Sequence, residues 1–257
     1  MIVERCVEMT KELMRWYAGK SLVSFVRQAD YAHPGEEEAI EITLSEYKKD
    51  YTRQVLDAGC GLGQTAKYIQ EAGWGAATGI DIENKAIEYA RDKYKGIDFL
   101  QADISELDKV IGKPVFDLVC MYTVFYALRD QEKTLRSIYN ITKDDAEIMI
   151  FDYADISGDK SIYNYQQEDP FIPVNLKKIS IMAKNTGWGI RKIKELNQEY
   201  KRWYKDLLMK IKQVEPELKE VYGNLIYSTA IDTYGNILRN IELKKMGGIA
   251  IYLSKTI

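Results

Sequence analysis

The chain reads as an α/β protein built on a doubly wound, mostly parallel sheet, and three stretches carry that reading. The first, Val55-Leu56-Asp57-Ala58-Gly59-Cys60-Gly61-Leu62-Gly63-Gln64-Thr65, is an apolar run that meets a carboxylate and opens into three glycines spaced two apart. The second, Ala76 to Asp81, is another apolar run closed by an acid, and the third, Ile97 to Ile104, carries Asp103 near its end. Between them the apolar spacing turns helical, with Ala66, Tyr68 and Ile69 after the first run and Ala86, Ile87, Tyr89 and Ala90 after the second. Strand, turn and helix in alternation place a ligand beyond the carboxyl ends of the strands. Glycine in the first turn lets the backbone take positive φ and approach that ligand closely.

Spacing then separates two kinds of ligand. A dinucleotide loop spaces its glycines G-x-G-x-x-G and seats a pyrophosphate on the next helix. Here the third glycine follows the second by two residues, and Asp57 precedes the first by two, where its charge repels a pyrophosphate and suits an ammonium group. A nicotinamide dehydrogenase therefore fits poorly. The D-x-G-x-G-x-G run resembles the signature of the class I S-adenosylmethionine-dependent methyltransferases. That resemblance implies a Rossmann-like sheet of seven strands, the last antiparallel, with S-adenosylmethionine as cofactor and S-adenosylhomocysteine as product. It also implies roles. Asp57, Gly59, Gly61 and Gly63 hold the cofactor loop, Asp81 takes the ribose hydroxyls, and Asp103 takes the adenine amino group between Ile82 and Ile104.

At 257 residues and 46% apolar content the chain can bury a sizeable core as a single domain. Its 36 basic and 39 acidic residues are mixed along the sequence, so no field gathers nucleic acid or anionic lipid. The first residues, Met1 to Cys6, meet charge too early for a secretory signal, and no uncharged run reaches the ~18 residues of a membrane span. Cys6, Cys60 and Cys120 form no C-x-x-C pair. We expect a cytoplasmic protein without nucleic-acid or membrane partners and without a metal, as a monomer or homodimer.

The order of elements follows from the same rules. Residues 1–48 read as an N-terminal helical cap: Val3, Val7, Leu13, Met14 and Tyr17 mark one helix ended by Gly19, and Ser21 opens another through Leu22, Phe25, Val26 and Ala29. Pro34 and Glu36 to Glu38 suit the first turn of a further helix. Residues 49–154 form the cofactor-binding core, with a fourth strand at Val115 to Met121, a helix at Gln131 to Tyr139 and a fifth strand at Glu147 to Tyr153. Residues 155–175, holding Tyr163, Tyr165, Gln166, Gln167, Pro170 and Pro173, read as a loop over the pocket. Residues 176–257 complete the sheet: a helix ending at Gly187, a sixth strand from Trp188, a helical insertion over 200–245, and a last strand, Ile249 to Leu253, entered through Gly247-Gly248. In that insertion Trp203, Leu207, Leu208, Ile211 and Val214 share a helical stripe, and Glu215-Pro216 starts the next helix.

The fourth motif, F-D-L-V followed by an aromatic stretch, again resembles the family, whose strand end borders both the methionine moiety, here at Met121, and the acceptor. No N/D-P-P-Y/F tetrapeptide and no Pro-Cys pair occurs, which sets aside the nucleic-acid amine and cytosine types. The chain is similar to the small-molecule group that includes phosphoethanolamine and glycine or sarcosine N-methyltransferases. It departs from them at Thr123 and Ala127, where they often carry an acid and a histidine. The titratable candidates near the acceptor are then Tyr122, Tyr126, Tyr31 and His33, the last being the single histidine of the chain. Methyl transfer to the nitrogen or oxygen of a small molecule, under a roof of cap and insertion, is the expected activity. A non-catalytic cofactor binder that recognises a metabolite or partner is the alternative.

Overall fold

The computed structural model describes residues 17–165 and 170–256. The helix expected over Val3 to Met14, Cys6, and the loop residues Gln166 and Gln167 lie outside the described residues. Two helices come first, α1 (Tyr17–Arg27) and α2 (Glu36–Leu44). Then follow β1 (Gln54–Ala58), α3 (Gln64–Glu71), β2 (Ala76–Asp81), α4 (Asn84–Lys93), β3 (Asp98–Gln101), α5 (Leu107–Ile111), β4 (Phe116–Tyr122), α6 (Gln131–Ile141) and β5 (Thr142–Asp155). The chain ends with α7 (Leu176–Asn185), β6 (Trp188–Glu195), α8 (Asn197–Gln213), α9 (Glu215–Glu242) and β7 (Met246–Lys255).

The seven strands form one sheet in the order β3-β2-β1-β4-β5-β7-β6. The pairs from β3 to β5 are parallel, and β7 runs antiparallel to both β5 and β6. Strand order reverses between β1 and β4, so the turn after β1 opens at the switch point where α/β sheets place ligands. Successive residues of each strand alternate between two cores. Val55, Leu118, Cys120, Met149 and Phe151 pack toward α1 to α4, α8 and α9, while Leu56, Val119, Met121, Ile148 and Ile150 pack toward α5 to α7. Cys120 is therefore a buried core residue.

Several boundaries differ from the sequence expectation. Gly19 and Ser21 neither end nor start a helix; α1 runs through both. A glycine inside a helix costs about 1 kcal/mol relative to alanine, and the buried face of Leu22, Val23 and Val26 offsets it. Pro34 stands before α2, whose N-cap is Gly35 with φ 82° against the Trp203 ring. Gly247 and Gly248 lie inside β7 rather than ahead of it, because a Cβ at either would collide with Asn197 or Tyr200 at the start of α8.

One buried carboxylate helps fasten the cap to the core. Asp30 accepts from Ser24 Oγ at 2.6 Å, Lys93 Nζ at 2.6 Å, and the phenols of Tyr94 and Tyr89 at 2.5 and 3.1 Å. Burial works against its charge, but donation from Lys93, Ser24 and Tyr94 more than offsets that and holds its pKa below the ordinary range. Among the described residues no helix is long and apolar enough to cross a membrane.

Candidate cofactor and acceptor site

The turn after β1 is pinned to its neighbour strand by main-chain bonds. Gly59 N and Cys60 N donate to Ile80 O at 2.6 and 2.9 Å, and Gly63 N donates to Cys60 O at 2.9 Å. Gly59, Gly61 and Gly63 all sit at positive φ, of 85°, 52° and 93°. A Cβ on Gly59 would strike Val124, and one on Gly63 would lie 2.8 Å from both Ala90 Cβ and Phe99 Cζ. Gly61 is different. Among the described residues its Cβ would meet only the Lys20 stem within 4 Å, so apart from that stem its face is open to the space above the strand tips.

Three acids converge on that space. Asp57, at the end of β1, is 1% exposed, and its Oδ2 has no hydrogen-bond partner. Burial first, and the charge of Asp81 second, push its pKa up to about 8, against the relief offered by the Ala66 amide. A buried carboxyl in that position stays neutral until a cation approaches it. Asp81 is also buried. Its Oδ2 accepts Gly61 N at 2.9 Å and Lys20 Nζ at 3.0 Å, and its Oδ1 accepts Glu83 N at 3.0 Å. β2 pairs Asp81 with Gln101 of β3, and Ala102 N donates to Asp81 O at 3.1 Å, so Asp103 stands just past the adjacent strand tip. Asp103 is exposed and caps Ser105 N at 2.8 Å. Beside it Ile82 is 54% exposed, whereas Ile104 is buried.

The tips of β4 and β5 form a second, aromatic end. Tyr122 is buried, stacks on His33 with 4.8 Å between ring centres, and hydrogen-bonds Thr43 of α2 at 2.8 Å. His33 is held at both nitrogens: Nδ1 lies 3.1 Å from Pro34 O and Nε2 lies 3.1 Å from Thr65 Oγ1. Burial, chiefly, drives its pKa down to about 3, so the ring is neutral. With Nδ1 as the donor to Pro34 O, Nε2 accepts from Thr65. Tyr31 sets its ring edge-on to His33 at 5.6 Å and donates to Glu37 at 3.2 Å.

Beyond β4 the chain takes a sharp turn. Thr123 has φ 52°, a conformation that costs a non-glycine residue roughly 1–3 kcal/mol. The turn is held by Asp152 at the tip of β5, which accepts Tyr126 N at 3.1 Å and Tyr153 N at 2.7 Å and faces the amides of Phe125 and Val124. Burial raises its pKa to about 7 despite those donors. Tyr126 then lies in a ring cluster with Tyr153 and Phe171, each 5.0 Å away. Tyr153 in turn hydrogen-bonds Tyr204 of the roof, whose neighbour Tyr200 has a buried hydroxyl without a partner.

Over residues 49–226 the sequence matches the family described as Methyltransferase domain. The chain belongs to that methyltransferase family. Phosphoethanolamine N-methyltransferase of Plasmodium falciparum is 30% identical to this methyltransferase over 141 residues, 52% of either chain. Malonyl-[acyl-carrier protein] O-methyltransferase of Pectobacterium atrosepticum is 28% identical over 116 residues, 45% of either chain. The chain thus spans about half the length of these curated relatives. Among solved structures, Haemonchus contortus phosphoethanolamine N-methyltransferase 2, in complex with phosphomonomethylethanolamine and S-adenosylhomocysteine, has a TM-score of 0.81 at 17% identity. It covers 93% of this chain and 57% of its own. At that identity the likeness establishes the fold.

The structure gathers Asp57, the three glycines and Asp81 around one turn, and sets Ile82, Asp103 and Ile104 at the next strand tips. Tyr31, His33 and Tyr122 form one contiguous group, while Tyr126 belongs to the neighbouring cluster around Tyr153. Met121 stands apart, its side chain buried in the core on the opposite face of the sheet, toward α5 to α7. Sequence reasoning missed Lys20, Glu83 and Thr65. A lysine on a helix face carries no signal of its own, and only the distance-spanning contact with Asp81 distinguishes it.

Proposed function

We propose that this methyltransferase moves a methyl group from S-adenosylmethionine to a nitrogen or oxygen atom of a small-molecule acceptor. The observation that carries the reading is the buried, partnerless oxygen of Asp57 beside a glycine turn whose Gly61 amide donates to Asp81. In this reading the ammonium of the cofactor's methionine part restores the charge of Asp57. Asp81 accepts the ribose hydroxyls, Asp103 the adenine amino group, and Ile82 and Ile104 flank the ring. S-adenosylmethionine, when bound, supplies a methyl group already activated by its sulfonium.

The chain's own residues then align and exclude water. Tyr31, His33, Tyr122 and Tyr126 wall the acceptor end beneath α8 and α9, and Asp152 fixes the turn that carries Tyr126. Burial pushes the phenols of Tyr122 and Tyr153 well above their ordinary range and keeps His33 neutral, so these groups are poor acids or cations near pH 7. Positioning alone is worth roughly 7–11 kcal/mol of barrier, more than the 10²–10⁴-fold typical of a general base. Alignment therefore carries the step, and the missing acid and histidine at Thr123 and Ala127 bear on which acceptor is used. Relatives named for nitrogen and for oxygen transfer support both atoms.

The test is incubation of the purified chain with methyl-labelled cofactor and a panel of small amines, carboxylates and hydroxyl compounds. Label in a small product supports the proposal. Tight cofactor binding with no labelled product across the panel favours a non-catalytic binder.

A further inference from the structure

The cradle contains one side chain that neither the glycine turn nor the strand tips supply. Lys20, from α1, lays its stem over Gly61, within 3.6 and 3.7 Å of where a Cβ on that residue would stand. Its Nζ reaches Asp81 Oδ2 at 3.0 Å and Glu83 Oε2 at 3.3 Å. At the start of the same helix Tyr17 N donates to Glu83 Oε1 at 2.7 Å. Both carboxylates after β2 are thereby tied to α1. The side chain of Lys20 is 16% exposed and those of Asp81 and Glu83 are 7% and 11%, so solvent does little to screen the group.

The acceptor capacity of Asp81 makes this contact consequential. A carboxylate oxygen offers about two lone-pair directions. On Oδ2 the Gly61 amide takes one and Lys20 takes the other, while Oδ1 already serves Glu83 N. A ribose diol that approaches Asp81 therefore meets an Oδ2 whose directions are filled and the Lys20 stem lying over Gly61.

We infer that Lys20 is a built-in competitor for the cofactor site, its ammonium standing in for the ribose hydroxyls on Asp81 until the cofactor displaces it. This rests on the reading of Asp81 as the ribose partner and goes beyond it by naming what must leave. Lys20 thereby sets the cofactor affinity: an ion pair is exchanged for the diol contacts, and the observed binding is the difference.

Calorimetric titration of S-adenosylhomocysteine tests the inference on wild type, Lys20→Met, Lys20→Arg and Asp81→Ala. Lys20→Met is expected to bind about tenfold more tightly than wild type, the low end of what a hydrogen bond to a charged group contributes. Lys20→Arg, which keeps the cation, shows no such gain. Unchanged or weaker binding by Lys20→Met overturns the inference. Should that variant fail to fold, Lys20→Ala takes its place: tighter binding than wild type supports the inference, and unchanged or weaker binding overturns it. Asp81→Ala reports separately on the underlying reading, because loss of binding there leaves the ribose assignment standing whatever Lys20 does.

Discussion

The two ends of the site are built on different principles. At the cofactor end every feature but Lys20 comes from residues 57–104, and the contacts are main-chain amides, carboxylates and one glycine face under the Lys20 stem. At the acceptor end Tyr31 and His33 come from the cap, Tyr122 and Tyr126 from the region of β4, Asp152 and Tyr153 from β5, and Tyr200 and Tyr204 from α8. One end is a local backbone geometry; the other is an assembly of rings brought together by packing. A backbone geometry demands particular residues at fixed spacing, whereas a packed wall of rings accepts many solutions.

If that contrast holds, substitutions at the two ends separate by what they change. Asp81→Ala has the largest expected effect: it removes two or more hydrogen bonds to a charged group, each worth about 1.5–3 kcal/mol, so cofactor affinity should drop by on the order of 100-fold. Retained affinity in a titration would show that the cofactor end is not organised as described. The next effect is a pH dependence. The Asp57 pKa of about 8 lies above its unfolded value, so the folded, unliganded chain holds a proton that the unfolded chain has released. Its stability should consequently decrease as pH rises between the two values, which a thermal melt series from pH 5 to 8 reads. A ligand ammonium expels that proton, so cofactor affinity should instead improve by about 50-fold from pH 6 to 8, with proton release visible as a buffer-dependent heat. Asp57→Asn flattens both trends, and a wild-type affinity independent of pH excludes the ammonium pairing. The smallest effect is expected from Tyr126→Phe: transfer slowed by about fivefold, in the range of one hydrogen bond, with cofactor Kd unchanged. A shift in cofactor Kd there would erase the separation between the ends.

The same contrast explains what the sequence could convey. The strand, turn and helix around Gly59 to Gly63 were readable because positive φ at three spaced positions leaves glycine as the residue that fits. The positions of the acids at 57 and 81 were readable because each closes an apolar strand run, β1 and β2 lying side by side in the sheet. Lys20 was not, since its significance lies in a contact 61 residues away in sequence. Motif position does not convey which face a side chain takes either: one step along β4 separates Met121, in the core toward α5 to α7, from Tyr122 on the other face. The continuity of α1 through Gly19 likewise depends on a buried face that only the folded cap supplies.

α9 is not one rigid rod. At Gly223 the backbone leaves helical dihedrals for φ 84° and ψ 161°, and among the described residues beyond its chain neighbours none comes within 4 Å of where its Cβ would be. The residue before it, Tyr222, is clipped to α1 through Ser21 at 3.1 Å and an edge-on contact with Phe25. The bend therefore divides α9 into a first part from Glu215, tied through Tyr222 to the helix that bears Lys20, and a second part anchored by the buried Thr229, Ala230 and Ile241.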